Sequence, residues 1–112
     1  MTITTHVLDT ALGRPAAGVP IFLERKSADE TWAVIGRGKT DGDGRLRDLM
    51  KDTALTAGNY RLTFATEVYF RALGTEGFYP EVSVVFAVRD SSTHYHVPLL
   101  LSPYGFSTYR GS

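Results

Sequence analysis

The chain has 112 residues, with 12 Lys plus Arg set against 12 Asp plus Glu, so its formal net charge is zero. That balance gives no electrostatic reason to expect nucleic acid or an anionic membrane as partner, and no run approaches the ~20 apolar residues of a membrane-spanning helix. Cysteine is absent, which excludes disulfides, thiolate catalysis and cysteine-based zinc sites, and the length fits one domain over residues 1–112.

Met1 to Asp9 has no basic segment followed by an apolar run. A secretory signal is therefore not expected, and a cytoplasmic location is. Thr2 to Leu8 alternates and is predicted as the first strand, with Ile3, Thr5 and Val7 on one face and Thr4, His6 and Leu8 on the other. Asp9 to Gly18, with Gly13, Pro15 and Gly18, reads as a loop. Val19 to Lys26 is a second strand, with Val19, Ile21 and Leu23 on one face. Ser27 to Glu30 is a polar turn, and Thr31 to Gly38, around Trp32, Val34 and Ile35, is a third strand.

Thr40-Asp41-Gly42-Asp43-Gly44-Arg45 is a tight turn. Its Asp-Gly-Asp-Gly run hints at a calcium loop, but Arg45 and Leu46 break that pattern at once. What the turn offers instead is the guanidinium of Arg45, a donor fork suited to anionic or carbonyl-rich planar groups. Leu46 to Thr56 reads as a short strand or an irregular segment. Asn59 to Ala65 alternates, with Tyr60, Leu62 and Phe64 inward. Thr66 is expected to cap one short helix, Glu67 to Leu73. Gly74 to Pro80 is a loop, Glu81 to Val88 a strand with Val82, Val84, Phe86 and Val88 inward, and Arg89 to Thr93 a polar turn.

The C-terminal stretch concentrates the chemistry. His94-Tyr95-His96-Val97-Pro98-Leu99-Leu100-Leu101 reads as a strand. Tyr95, Val97, Leu99 and Leu101 form an unbroken apolar face directed at the core. The opposite face carries His94, His96, Pro98 and Leu100, a mixture suited to an interface or a lined cavity. The first strand repeats this mixture with His6 and Leu8, so the two strands are expected to lie together. Ser102-Pro103-Tyr104-Gly105 is a turn, and Phe106 to Arg110 returns as a partner strand. That return brings Tyr109 and Ser112, with its hydroxyl and α-carboxylate, toward the histidines. Roughly seven or eight short strands and one small helix make an all-β sandwich.

His6, His94 and His96 are the only histidines. A single strand histidine is more often a hydrogen-bonded boundary residue than a catalyst. Three of them on comparable faces point beyond that. His94-x-His96 together with His6 also resembles a three-histidine zinc set, but no carboxylate or cysteine stands nearby in sequence to complete it, so no metal is expected. The chain contains no Gly-x-Ser-x-Gly elbow, phosphate loop or Rossmann fingerprint, and no cofactor is expected.

Several motifs together resemble the transthyretin family, on its 5-hydroxyisourate hydrolase branch: Thr5-His6-Val7-Leu8-Asp9, Gly13-Arg14-Pro15-Ala16, Asp43-Gly44-Arg45, Gly58-Asn59-Tyr60, Phe78-Tyr79-Pro80, His94 to Leu100, Ser102-Pro103-Tyr104 and the terminal Tyr109-Arg110-Gly111-Ser112. Phe106 stands where many relatives have tyrosine. The resemblance implies a transthyretin-like eight-stranded β-sandwich with one short helix, assembled as a homotetramer, a dimer of dimers with a channel. It implies hydrolysis of 5-hydroxyisourate to 2-oxo-4-hydroxy-4-carboxy-5-ureidoimidazoline in urate and purine degradation, a cyclic amide hydrolysis. By motif it carries catalytic roles to His6, Arg45, His96 and Ser112 and substrate contact to His6, Arg45 and Tyr109. His6 and His96 share the tasks of base and acid, either way round, and His94 stands behind them. The alternative is a transthyretin-type carrier of a small ligand, which bulky Tyr109 and three imidazoles would crowd and polarise.

Overall fold

A five-stranded and a four-stranded sheet face each other. A computed structural model describes all residues, 1–112. One sheet has the order β2-β1-β8-β9, with β5 also pairing β1: β1 is Ile3–Asp9, β2 Arg14–Pro15, β5 Arg45–Leu46, β8 Tyr95–Ser102 and β9 Gly105–Thr108. The other runs β4-β3-β6-β7, from β3 (Pro20–Lys26), β4 (Trp32–Lys39), β6 (Gly58–Phe64) and β7 (Val82–Val88). With the two-residue β2 set aside, these are the eight strands of the expected sandwich. The single helix, α1, is Thr66–Ala72.

The alternating residues of the sequence make the core. Ile3 and Val7 from β1, Leu23 from β3, Tyr60, Leu62 and Phe64 from β6, and Leu99 and Leu101 from β8 are fully buried in one cluster of 21 residues. Each buried leucine contributes about 2 kcal/mol by leaving water. Leu49, Met50 and Leu55 join the same cluster, so the segment after β5 is irregular in backbone yet packed, which periodicity could not reveal. Asp9, 2% exposed, is held by the Tyr69 hydroxyl at 2.7 Å and by the amides of Ala11 and Leu12 at 3.0 Å. Burial first, and then Asp9, push the Tyr69 phenol up to about 12.

The helix departs from expectation at its start. Ala65, not Thr66, is the N-cap, and no side chain caps the helix. The Thr66 hydroxyl instead donates to the Tyr79 carbonyl at 2.7 Å, tying the helix to the following loop. The hydroxyl serves a tertiary acceptor instead of accepting from a helix amide.

The pairing of β1 with β8 positions the site. It is parallel, with Thr4 opposite His96, His6 opposite Pro98 and Leu8 opposite Leu100. The two mixed faces read from the sequence therefore form one continuous surface. β7 and β9 each form one edge of their sheet. Val85 on β7 is 58% exposed and Phe106 on β9 is 40% exposed, apolar side chains at edges that sheets usually protect.

Candidate active site

Arg45 reaches the mixed surface through its turn. Asp41 closes that turn: its Oδ1 accepts the amides of Asp43 at 2.9 Å and Arg45 at 3.0 Å. The carboxylate is thus occupied by backbone donors, which hold its pKa below the usual carboxylate range, Arg45's amide being the largest influence. Gly44 takes a positive φ of 75°, and its carbonyl accepts the Val7 amide at 2.7 Å. A Cβ there would lie 2.4 Å from the Val7 carbonyl oxygen, so only glycine lets the turn dock on β1. Docking puts Arg45 directly opposite His6 in the β1/β5 pair.

A cavity of about 350 Å³ opens here, lined by Thr4, Thr5, Arg45, Arg47, His94, His96 and Ser112, none of them hydrophobic. Of the residues expected from sequence, Arg45, His94, His96 and Ser112 are brought together. His6 is not among the lining residues. It stands beside the cavity, one step along β1 from Thr4's pairing with His96. Its Nε2 lies 2.8 Å from the Asp43 carbonyl. A carbonyl only accepts, so Nε2 carries a proton and donates it. Tyr109 lines a different, mostly apolar groove with Val84, Phe86 and Tyr95 and is 56% exposed.

Thr4, Thr5 and Arg47 were missed. Thr4 shares the parity of His6, and Arg47 that of Arg45, so both lay within reach of the same alternation argument. Arg47 also pairs with Asp41 at 3.7 Å, an exposed contact that contributes little to stability.

The three imidazoles do not converge on a common point. The Thr4 hydroxyl lies 2.8 Å from His96 Nδ1 and 3.0 Å from His94 Nε2, while His6 turns to Asp43. No group of three His, Asp or Glu side chains has metal-ligating geometry. His96 is half-buried. Burial pushes its pKa below the ordinary imidazole value, and Arg45, His6, His94 and Arg47 push it further in the same direction. A neutral imidazole beside two guanidinium groups is equipped to accept a proton next to a site that stabilises developing negative charge.

The Ser112 end is fastened as well. The Gly111 amide donates to the His96 carbonyl at 2.8 Å in an isolated bridge beyond β9. The chain terminus is thereby held over the imidazole instead of fraying.

Comparisons with known proteins agree with this fold. A family profile described as HIUase/Transthyretin matches residues 3–111. A 5-hydroxyisourate hydrolase of Salmonella typhimurium is 46% identical over 110 residues, covering 98% of this chain and 80% of that protein. Among solved structures, sea bream transthyretin in complex with thyroxine superposes with a TM-score of 0.91 at 33% identity, covering 97% of this chain and 93% of that one. The 5-hydroxyisourate hydrolase of Klebsiella pneumoniae gives 0.84 at 34% identity, covering 98% of each chain. The backbone thus resembles a transthyretin and a hydrolase alike, and the fold by itself does not fix the chemistry.

Proposed function

Because the chain belongs to the HIUase/Transthyretin family, we propose that it acts as a single-domain enzyme hydrolysing 5-hydroxyisourate in urate degradation. The observation that carries this reading is the cavity. It has two arginines, two imidazoles and no hydrophobic lining residue, whereas a carrier of an aromatic ligand needs apolar walls.

The reaction is opening of a cyclic amide. His96, neutral by virtue of its depressed pKa, takes a proton from water through Nε2, which has no protein partner. The water oxygen bonds to the carbonyl carbon of the six-membered ring. Negative charge develops on the carbonyl oxygen, and Arg45 stabilises it with a planar donor fork. The tetrahedral species collapses, the ring C–N bond breaks, and the leaving nitrogen takes the Nδ1 proton of His6 in its imidazolium form, whose Nε2–H stays on the Asp43 carbonyl; the new carboxylic acid returns a proton to His6, and His96 releases its own to solvent. The product carries a new carboxylate and an opened ureido arm. Arg47 adds a second cation to the wall that orients the planar substrate, and Ser112 closes the cavity from the tail.

Two separate surfaces support assembly as a homotetramer. The β7 and β9 edges with Val85 and Phe106 supply one contact, and the Leu8/Leu100 face supplies the other. Two different isologous contacts give a dimer of dimers. Tyr109, exposed and outside its own protomer's cavity, would then touch substrate from a neighbouring subunit.

The test follows the ultraviolet absorbance of freshly generated 5-hydroxyisourate. Wild type accelerates its decay, and His96→Ala and His6→Ala each lose at least about a hundredfold in kcat, the scale of acid–base catalysis. Decay no faster than the spontaneous reaction would leave the carrier reading in its place.

A further inference from the structure

Thr4 sits between two rings because of register. It pairs with His96 across the parallel β1/β8 ladder, and His94 lies two residues before His96, on the same side by strand parity. One hydroxyl therefore meets both imidazoles, at 2.8 Å from His96 Nδ1 and 3.0 Å from His94 Nε2. Thr4 is only 8% exposed, so water does not compete freely for that hydroxyl.

A threonine hydroxyl has one proton to give and two lone pairs to receive. It cannot donate to both rings. If it donated to His96 Nδ1, the proton of neutral His96 would sit on Nε2, and the nitrogen left to face substrate would have no lone pair. The opposite arrangement leaves Nε2 open: His96 Nδ1–H donates to Thr4, and Thr4 donates to His94 Nε2.

We propose that Thr4, backed by His94, is a positioning residue that fixes His96 as the Nδ1–H tautomer and so presents its Nε2 lone pair to the cavity. The proposal rests on the hydrolase reading with His96 as base. When Nε2 takes a proton from water, the ring becomes an imidazolium whose Nδ1–H already donates to Thr4. No hydrogen bond is remade at that step, and the ring need not turn. The relation matches what a buried carboxylate does for a catalytic imidazole elsewhere, with a neutral hydroxyl and a second imidazole in its place. The neutral partner adds no anion of its own to the wall that holds Arg45.

The experiment uses full-length protein labelled with ¹⁵N at histidine. Long-range proton–nitrogen spectra at a pH above the His96 titration distinguish protonated from unprotonated ring nitrogens. Wild-type His96 is expected to show a protonated Nδ1 and a bare Nε2. Thr4→Val keeps the shape and removes both hydrogen bonds. It should scramble the His96 tautomer and lower kcat by about ten- to a hundredfold, a fraction of what a wrong tautomer costs a fully buried triad, with KM within about twofold. Thr4→Ser should restore both tautomer and kcat. A proton on Nε2 of wild-type His96 overturns the proposal, as does a Thr4→Val enzyme with wild-type tautomer and kcat. A wild type with the expected tautomer but no hydrolysis overturns the function above and with it the positioning role.

Discussion

Gly111 donates its amide to the carbonyl of His96, and a Cβ on Gly111 would lie 2.6 Å from the Cδ2 of that same histidine. The tail can rest over the imidazole only because residue 111 has no side chain. The contact is backbone on one side and ring edge on the other, so relief requires the tail or the ring to move.

Gly111→Ala should therefore damage activity without damaging the fold. The tail lies outside the 21-residue core, so the thermal midpoint should hardly change. Displacing a catalytic ring by about 1 Å costs on the order of a hundredfold, and kcat/KM should fall on that scale. Deleting Arg110 to Ser112 should do the same while circular dichroism persists. An alanine variant with wild-type kcat/KM would show that the tail is passive.

Arg45→Lys should be nearly as harmful as Arg45→Ala. The guanidinium faces the cavity from a docked turn, opposite His6. A lysine ammonium keeps the charge but loses the planar fork. The comparison of kcat for the two variants decides it, and near wild-type turnover in the lysine form would mean that charge alone suffices.

The acid limb of kcat/KM should lie below pH 6.5, because burial and the neighbours Arg45, His6, His94 and Arg47 hold the His96 pKa under the ordinary imidazole value of 6.5. The neutral, base-competent ring persists as pH falls through that value. Arg47→Gln removes one cation and should move the limb upward. Stability falls in the same direction: unfolded His96 binds a proton before folded His96 does, so stability declines as pH drops from about 6.5 toward the folded pKa and then levels. A limb above pH 6.5 in the wild-type pH–rate profile would contradict this.

Leu100→Asp should break the assembly. Leu8 and Leu100 stand opposite each other and remain partly exposed in one protomer. An unpaired carboxylate in an apolar contact costs at least about 2 kcal/mol. Light scattering should give the wild type four times the mass of the chain and the variant a smaller species with intact circular dichroism. A monomeric wild type at micromolar concentration would remove the channel.

Much of this was legible in the sequence because strand side chains alternate with period two. Tyr95, Val97, Leu99 and Leu101 were assigned inward and are buried. The imidazole-and-leucine faces of β1 and β8 were expected to adjoin, and they do. Arg45 could be singled out because the Asp-Gly-Arg turn is local chemistry.

Tertiary structure decided the rest. Periodicity gives a face but not a register, and register here joins residues some ninety positions apart: the Thr4 and His96 side chains meet across |i−j| = 92. A shift of one residue along that ladder would have sent every side chain to the other sheet face. Only the pairing puts the Thr4 hydroxyl between two rings, sets His6 beside the cavity instead of in its wall, and leaves Tyr109 outside its own protomer's pocket. Ring orientation is equally non-local, because the acceptor that turns His6 is the carbonyl of Asp43, brought there by the docking of Gly44 on Val7. The residue types of the site belong to the sequence. Their protonation and aim belong to contacts that exist only once β1, β8 and the Asp41–Arg45 turn are packed together.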